Sequence, residues 1–264
     1  MNKVHMILQY LKYRLHAKTR HGIHSPFIYS FIEEVIYDGK TYPEYAIIEK
    51  EISKLKQNRN VLEIVDFGAS GNKQGYKTRF RRISMIAALS GISKRHGRLL
   101  YRIVKHFKPA TMLELGTSLG ISTMYQAKGK PDAQFTGIEG CATVASITRS
   151  SLDAVGCTNV NLLMAQFKTA LPDYLSGLAT NLDYAFIDGD HTYEGTMSYF
   201  NQLKNHVSSN SILIFHDIYW SEGMKRAWEE IKQDTEVKVT VDLFYMGIVF
   251  FRSELSKQDF VVRF

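Results

Sequence analysis

The spacing of hydrophobic positions changes near Thr111. Before that residue, apolar side chains recur mostly every three or four positions, which predicts helices. Ser25-Pro26, a serine followed by proline, has the form of a helix start. A short apolar run, Val61–Phe67, leads into the glycine-rich and then basic segment Gly68–Gly75, which we interpret as a loop. The pattern therefore predicts a mainly helical N-terminal extension over residues 1–94.

After Thr111, short apolar runs alternate with helical segments. The predicted strands are Met112–Leu115, Gln134–Glu139, Val160–Met164, Leu182–Ile187, Ser211–His216, Lys238–Leu243 and Gly247–Arg252. Such alternation is typical of a parallel sheet covered by helices on both faces. The close spacing of the last two strands predicts a hairpin, and hence one antiparallel strand. The predicted fold class is a doubly wound, mostly parallel, seven-stranded α/β sheet over residues 95–264, with the last strand antiparallel.

Length and composition limit the classes that need to be considered. A chain of 264 residues with 45% hydrophobic content suits one large α/β domain, or a standard domain with an extension. No apolar run approaches the roughly 20 residues of a membrane span. The two cysteines, Cys141 and Cys157, give neither a disulfide framework nor a zinc ligand set. We therefore expect a cytoplasmic protein without a transmembrane segment.

The N-terminal segment combines helically spaced leucines with basic residues. Leu8, Leu11 and Leu15 share the spacing of one helix face with Val4, and no acidic residue precedes Glu33. Three interpretations stay open: a cap helix packed on the domain, a membrane-surface helix and a transit-like segment. The net charge of +7 is concentrated in residues 3–20 and 73–102. An RNA-binding surface is the alternative to a solvated basic face.

A glycine-rich turn follows the first predicted strand of the α/β region. Met-Leu-Glu114-Leu runs into Gly116-Thr-Ser-Leu-Gly120, and such a turn lets a ligand approach the backbone closely. A carboxylate at Glu114 would repel a pyrophosphate, but it suits a ligand with a positive end. S-adenosyl-L-methionine (SAM) has a sulfonium and an amino group, so Glu114 favours SAM over NAD. Glu139, at the end of the next strand, can accept bonds from both ribose hydroxyls.

Acidic residues and histidines follow the fourth and fifth strands of this region. Asp188, Asp190 and His191 follow the fourth, and His216 and Asp217 end the fifth. Ligands of open parallel sheets bind beyond the carboxyl ends of the strands, so both groups are expected at the reaction site. His191 is the first candidate for a general base and His216 the second, with a structural role as the alternative for each. The three aspartates could also bind Mg²⁺.

The order of these motifs resembles class I SAM-dependent methyltransferases, and it is closest to a catechol O-methyltransferase-like branch with an Asp-Gly-Asp-His element. The resemblance covers roughly residues 95–252. It implies that the residues of the glycine-rich turn hold the amino-acid end of SAM, Glu139 the ribose, and Gln166 and Phe167 the adenine, with Asp188 near the transferred methyl group. The implied cofactor-binding residues are Glu114, Gly116, Thr117, Ser118, Gly120, Glu139, Gly140, Gln166, Phe167 and Asp188.

The same resemblance implies where catalysis and acceptor binding occur. His191, Asp188 and Asp217 are the expected catalytic residues. The expected acceptor contacts are His24, Phe27, Tyr193, His216 and Trp220. Metal-dependent members of the branch have Asp-Asn after the fifth strand, where this chain has Asp217-Ile218. One expected ligand is missing, which puts a Mg²⁺ site at Asp188 and Asp217 in doubt.

The leading functional hypothesis is therefore transfer of a methyl group from SAM to a small-molecule acceptor, through a hydroxyl group. RNA methylation is the second hypothesis, because of the basic segments. A non-catalytic SAM-binding protein is the third, and an NAD-dependent oxidoreductase is the fourth. For the assembly, a homodimer stays open.

Overall fold

The computed structural model describes residues 3–66, 77–89 and 91–264. These fall into two compact units, residues 33–170 and residues 1–32 together with 171–264. The Gly68–Gly75 segment lies outside the described residues, so its interpretation as a loop stays a prediction. The proposed division into an extension, 1–94, and a cofactor domain, 95–264, also stays a prediction.

Helices and strands alternate through most of the chain. The α-helices are α1 Lys3–His16, α2 Pro26–Phe31, α3 Pro43–Gln57, α4 Ile83–Leu89, α5 Lys94–Phe107, α6 Ile121–Gly129, α7 Ala142–Ala154, α8 Phe167–Ser176, α9 Tyr193–Leu203 and α10 Glu222–Gln233. The strands are β1 Val61–Asp66, β2 Lys77–Arg82, β3 Thr111–Leu115, β4 Gln134–Glu139, β5 Val160–Met164, β6 Leu182–Ile187, β7 Val207–His216, β8 Val239–Asp242, β9 Met246–Phe250 and β10 Gln258–Val261. None of the described helices combines the length and apolar composition that a bilayer crossing requires.

The unit of residues 33–170 contains three parallel strands in the order β3-β4-β5. Every residue of β3 is buried, as expected for a strand covered on both faces. Glu114 pairs in register with Gly137, and Glu139 pairs with Met164. Strands β1 and β2 form a separate antiparallel pair. The second of them was not predicted, because its basic sequence, Lys-Thr-Arg-Phe-Arg-Arg, lacks an apolar face.

The other unit contains five strands in the order β10-β8-β9-β7-β6. Strands β6 and β7 are parallel, whereas β9 runs antiparallel to both β7 and β8. The predicted hairpin and its antiparallel strand are thereby confirmed. Strand β10, which pairs parallel to β8, was not predicted. The α/β region therefore has eight strands rather than the predicted seven. Strand β10 has four residues and none is buried, so its sequence carries almost no periodic signal.

Hydroxyl side chains fix the starts of the helices that follow functional loops. The Oγ atom of Ser25 accepts the backbone N–H of Ile28 at 3.5 Å, which confirms the predicted start of α2. Thr192 caps α9 in the same way, with its Oγ1 atom 3.0 Å from the backbone nitrogen of Gly195. Because Thr192 directly follows His191, this cap restrains the loop that carries the predicted base.

Candidate active site

The glycine-rich turn leaves β3 in a backbone conformation that favours glycine. Gly116 and Gly120 have φ angles of +94° and +79°, and Ser118 between them has +46°. Gly120 is the N-cap residue of α6, and a Cβ atom there would lie 2.9 Å from Cγ2 of Thr148 in α7. The positive φ and the close approach both require glycine at position 120. The turn is therefore held tightly against its own unit.

Glu114 is completely buried and bonded within the protein. Its carboxylate accepts hydrogen bonds from Oγ1 of Thr123 at 2.6 Å and from Nε2 of Gln126 at 3.0 Å. Both donors lie on α6, so Glu114 ties the end of β3 to the helix after the turn. The predicted contact of Glu114 with the amino group of SAM stays a prediction.

Sequence reasoning missed Thr123 and Gln126. Their spacing of three positions places them on one face of α6, but only the structure shows that all but one residue of this helix is buried. Buried polar groups need hydrogen-bond partners, and a carboxylate on the neighbouring strand is such a partner.

Glu139 lies beside the turn, as the prediction requires. Its Oε2 atom accepts the backbone N–H of Ser118, and its Oε1 atom accepts that of Cys141, both at 2.9 Å. Thr117 adds an unusual feature, since its Oγ1 atom is buried without a hydrogen-bond partner among the described residues. A half-buried carboxylate and an unpartnered hydroxyl at one turn fit a ligand that carries hydroxyl and charged groups.

The remaining predicted cofactor residues of this region lie in the loops after β4 and β5. Gly140 is partly exposed and directly follows Glu139. Gln166 is exposed, and its backbone carbonyl accepts N–H groups of Thr169 and Ala170. Phe167 is the first residue of α8 and is half-buried. These positions leave the side chains of Gln166 and Phe167 partly accessible to a ligand.

In the other unit, Asp188 and His216 form a close pair. Asp188 follows β6 and His216 ends β7, whose register aligns Ile187 with Phe215. The pairing of the strands thus brings the next residues together, and Nδ1 of His216 lies 2.8 Å from Oδ1 of Asp188. His191 is farther away, with its Nε2 atom 3.6 Å from the same oxygen. The sequence predicted this grouping but ranked His191 first.

The environment of the pair fixes the charges of Asp188 and His216. Burial disfavours a charged His216 and lowers its pKa. The charge of the adjacent Asp188 carboxylate and the hydrogen bond to it outweigh this effect and raise the pKa of His216 to about 9. Burial opposes ionisation of Asp188 as well, yet His216 keeps the pKa of Asp188 below its ordinary value. The pair is therefore an imidazolium and a carboxylate at neutral pH. Burial and the charge of Asp188 raise the pKa of Asp217.

The loops that carry these groups have strained backbones. Asp190, His191 and Asp217 have φ angles of +69°, +47° and +56°, which non-glycine residues rarely adopt. The carboxylate of Asp190 accepts hydrogen bonds from Oγ1 of Thr192 at 3.2 Å and from the hydroxyl of Tyr199 at 3.1 Å. Asp190 thus holds its own loop against α9. Strain of this kind persists where the surrounding structure fixes a functional geometry.

The described residues do not fit a Mg²⁺ site at Asp188 and Asp217. No group of three or more histidine, cysteine or acidic side chains is arranged to hold a metal in the described parts of the chain. The positive charge beside Asp188 belongs to His216, whose Nδ1 atom is also 3.7 Å from Asp217. A divalent cation would have to compete with this imidazolium, so we derive no step through a metal.

The predicted acceptor contacts other than His216 are dispersed in the same unit. The Tyr193 hydroxyl donates to Oε2 of Glu230 at 2.5 Å. The ring of Phe27 packs edge-on against Phe250, with ring centroids 5.0 Å apart. His24 and Trp220 are exposed. Their roles in acceptor binding stay predictions.

Comparisons with known proteins show a similarity to methyltransferases. A family model described as a methyltransferase domain matches residues 113–218, which run from β3 to just beyond β7. No curated protein matches the chain.

Several solved methyltransferases share the fold. The O-methyltransferase TomG from Streptomyces achromogenes, solved in complex with SAM, is 18% identical with a TM-score of 0.54, covering 61% of this chain and 81% of that one. An O-methyltransferase from Bacillus cereus, in complex with SAH, is 14% identical with a TM-score of 0.56, covering 85% and 97%. The SAH-bound methyltransferase PaMTH1 from Podospora anserina is 12% identical with a TM-score of 0.60, covering 87% and 97%. At these identities the likeness shows a common fold. Over residues 113–218 the chain is similar to a methyltransferase domain, and it shares the fold of solved SAM- and SAH-bound methyltransferases.

Proposed function

We propose that the protein transfers the methyl group of SAM to a hydroxyl group of a small-molecule acceptor. When bound, SAM supplies an electrophilic methyl group and leaves as S-adenosylhomocysteine. The observation that carries the proposal is the ion pair of Asp188 with His216, which leaves His191 as the second histidine beside the same carboxylate. O-Methylation needs a group that removes the hydroxyl proton, and His191 is available for that task.

The base follows from the charges of the cluster. His216 is protonated at neutral pH and bonded to Asp188, so it cannot accept a proton. The side chain of His191 is 27% exposed, and its Nε2 atom is 3.6 Å from Asp188. His191 would accept the proton that the acceptor hydroxyl gives up, and the methyl group that this hydroxyl receives would come from SAM. Asp188 then stabilises the imidazolium that forms.

The cofactor role rests on the unit of residues 33–170. Glu139 would hold the ribose hydroxyls, and the backbone N–H of Ser118 and the hydroxyl of Thr117 would hold polar groups of the amino-acid end. Glu114 contributes by fixing α6 to β3 rather than through an unpaired carboxylate. Gln166 and Phe167 would border the adenine. The positive φ angles of Gly116 and Gly120 keep the backbone of the turn open to the ligand.

Several finer statements belong to the same proposal. We place the enzyme in the cytoplasm, because both cysteines, Cys141 and Cys157, are unoxidised thiols buried in the protein. The acceptor is a small molecule, and RNA is the competing acceptor to be excluded. A homodimer stays open.

Two measurements test the proposed function. Isothermal titration should detect binding of SAM and S-adenosylhomocysteine and no comparable binding of NAD. Methyl transfer from radiolabelled SAM to a panel of phenols, sugars and hydroxy acids should then identify a hydroxyl acceptor. Binding of NAD without SAM would refute the proposal. SAM binding without transfer to any acceptor would favour a non-catalytic SAM-binding protein, and salt-dependent retardation of RNA in a gel would favour RNA methylation.

A further inference from the structure

Helix α1 has two apolar faces, and among the described residues one of them packs against the rest of its unit. Tyr13 and Ala17 on the inner face are buried with Phe244, and Met6 packs against the same cluster. The Tyr13 hydroxyl donates to the carbonyl of Val262 at 2.5 Å and accepts the backbone N–H of Phe264 at 3.0 Å. These contacts fix the orientation of the helix on the C-terminal segment.

The outer face of α1 consists of large aliphatic side chains in water. Spacings of four, three and one residues place them on a single stripe of the helix. Their exposed fractions are 58% for Ile7, 53% for Leu8, 53% for Leu11 and 84% for Leu15. A contiguous exposed apolar stripe of this kind marks an interaction surface, because moving four aliphatic side chains out of water is favourable.

The charges around the stripe are of one sign. At 100° per residue, Lys12 and Arg14 lie on opposite sides of it. Lys18 lies two residues beyond the helix, where its backbone forms a β-bridge with Val262. Lys12 and Lys18 are exposed, and Arg14 is partly exposed. The sequence holds five Lys or Arg residues and no acidic residue before Glu33. A partner of this face should therefore be apolar and negatively charged.

We infer that the outer face of α1 docks on an anionic lipid membrane, with Ile7, Leu8, Leu11 and Leu15 in the boundary between headgroups and acyl chains. Such a surface offers both an apolar layer for the stripe and negative charge for Lys12, Arg14 and Lys18. A second copy of the chain is a poorer partner, because a two-fold contact would bring the same basic residues together. The inner face keeps its contacts with Phe244 and Val262, so docking requires no unfolding.

The test is co-sedimentation of the full-length protein, without SAM, with vesicles of phosphatidylcholine alone or mixed with phosphatidylglycerol. The wild type should bind the anionic vesicles, and high salt should weaken binding. Leu11→Gln/Leu15→Gln should weaken binding at least about tenfold, since each leucine would otherwise leave water. Lys12→Gln and Lys18→Gln should each cost about fivefold on anionic vesicles.

The control is Leu89→Gln/Met164→Gln, which removes two exposed apolar side chains from other elements and should leave binding unchanged. Absence of binding to anionic vesicles at low salt would overturn the inference. Equal, salt-independent binding to both vesicle types would also overturn it. A wild-type dimer in sedimentation velocity that Leu11→Gln/Leu15→Gln dissociates, without vesicle binding, would identify the face as a contact between copies instead. These outcomes do not depend on methyl transfer, so they are independent of the proposed function.

Discussion

The Nδ1 atom of His216 lies 2.8 Å from Oδ1 of Asp188, and the two residues form a largely buried ion pair at the ends of two neighbouring strands. Twenty-eight residues separate them in sequence. The pair exists because the parallel register of β6 and β7 aligns the residues just before each of them. It fixes the charge of His216, and we propose His191 as the group that accepts the proton.

The first prediction concerns the stability that this pair provides. Asp188→Asn should lower the free energy of unfolding by about 3 kcal/mol near neutral pH, because it breaks a buried pair. The pKa of His216 is raised from 6.5 to about 9, so the contribution is complete below pH 6.5 and is lost as the pH rises through 9. Because the pKa of Asp188 is lowered, the contribution of the pair to stability is also lost in acid, below the ordinary aspartate value of 3.8.

Urea unfolding of the wild type and Asp188→Asn at a series of pH values measures this effect. The difference between the two proteins should shrink above pH 9. Asp153→Asn, at an exposed aspartate of α7, is the matched control and should show no such dependence. A difference that stays constant from neutral pH to beyond the titration of His216 would contradict an ion pair.

The second prediction concerns the base. His191→Ala should lower the turnover number about 10²- to 10⁴-fold with a hydroxyl acceptor, because a positioned base contributes that much. The dissociation constant for SAM should stay nearly unchanged, since His191 is expected to contact the acceptor rather than the cofactor. Steady-state kinetics and titration calorimetry measure the two effects. His206→Ala, at a partly exposed histidine of the same unit, should retain full activity. Unchanged turnover of His191→Ala would remove His191 from the mechanism.

The third prediction concerns the ribose site. Glu139→Ala should weaken SAM binding about tenfold or more, because hydrogen bonds to a charged acceptor are lost. The backbone N–H groups of Ser118 and Cys141 also lose their acceptor, so the turn should become less ordered. Titration calorimetry with S-adenosylhomocysteine measures the affinity. Glu236→Ala, at an exposed glutamate, provides the comparison. Full affinity in Glu139→Ala would place the ribose elsewhere.

The fourth prediction concerns the glycine-rich turn. Gly120→Ala should destabilise the protein by about 1–2 kcal/mol from its positive φ alone, and the contact with Thr148 adds to that cost. Gly39→Ala is the matched control, because a Cβ atom there meets nothing within 4 Å. Thermal unfolding of both variants measures the difference. Equal midpoints for the two variants would show that the turn relaxes without strain.

The sequence alone determined the alternation of strands and helices after Thr111. Strands β4, β5 and β6 have the predicted bounds, and β6 shows the nearly continuous apolar run of a buried parallel strand. The antiparallel position of β9 followed from the short connection before it. The position of Glu139 at the end of β4 followed from the same pattern, whereas its hydrogen bond to Ser118 depends on the pairing of β3 with β4.

Only the tertiary structure decided which polar groups meet. Glu114 bonds to Thr123 and Gln126 because the turn folds α6 back along β3, and no spacing in the sequence states that direction. Asp188 selects His216 over His191 because two strands align in register. Local patterns fix the elements, since they depend on near neighbours in the chain. Partners distant in sequence depend on how those elements pack, and the charge of His216 depends in turn on its partner.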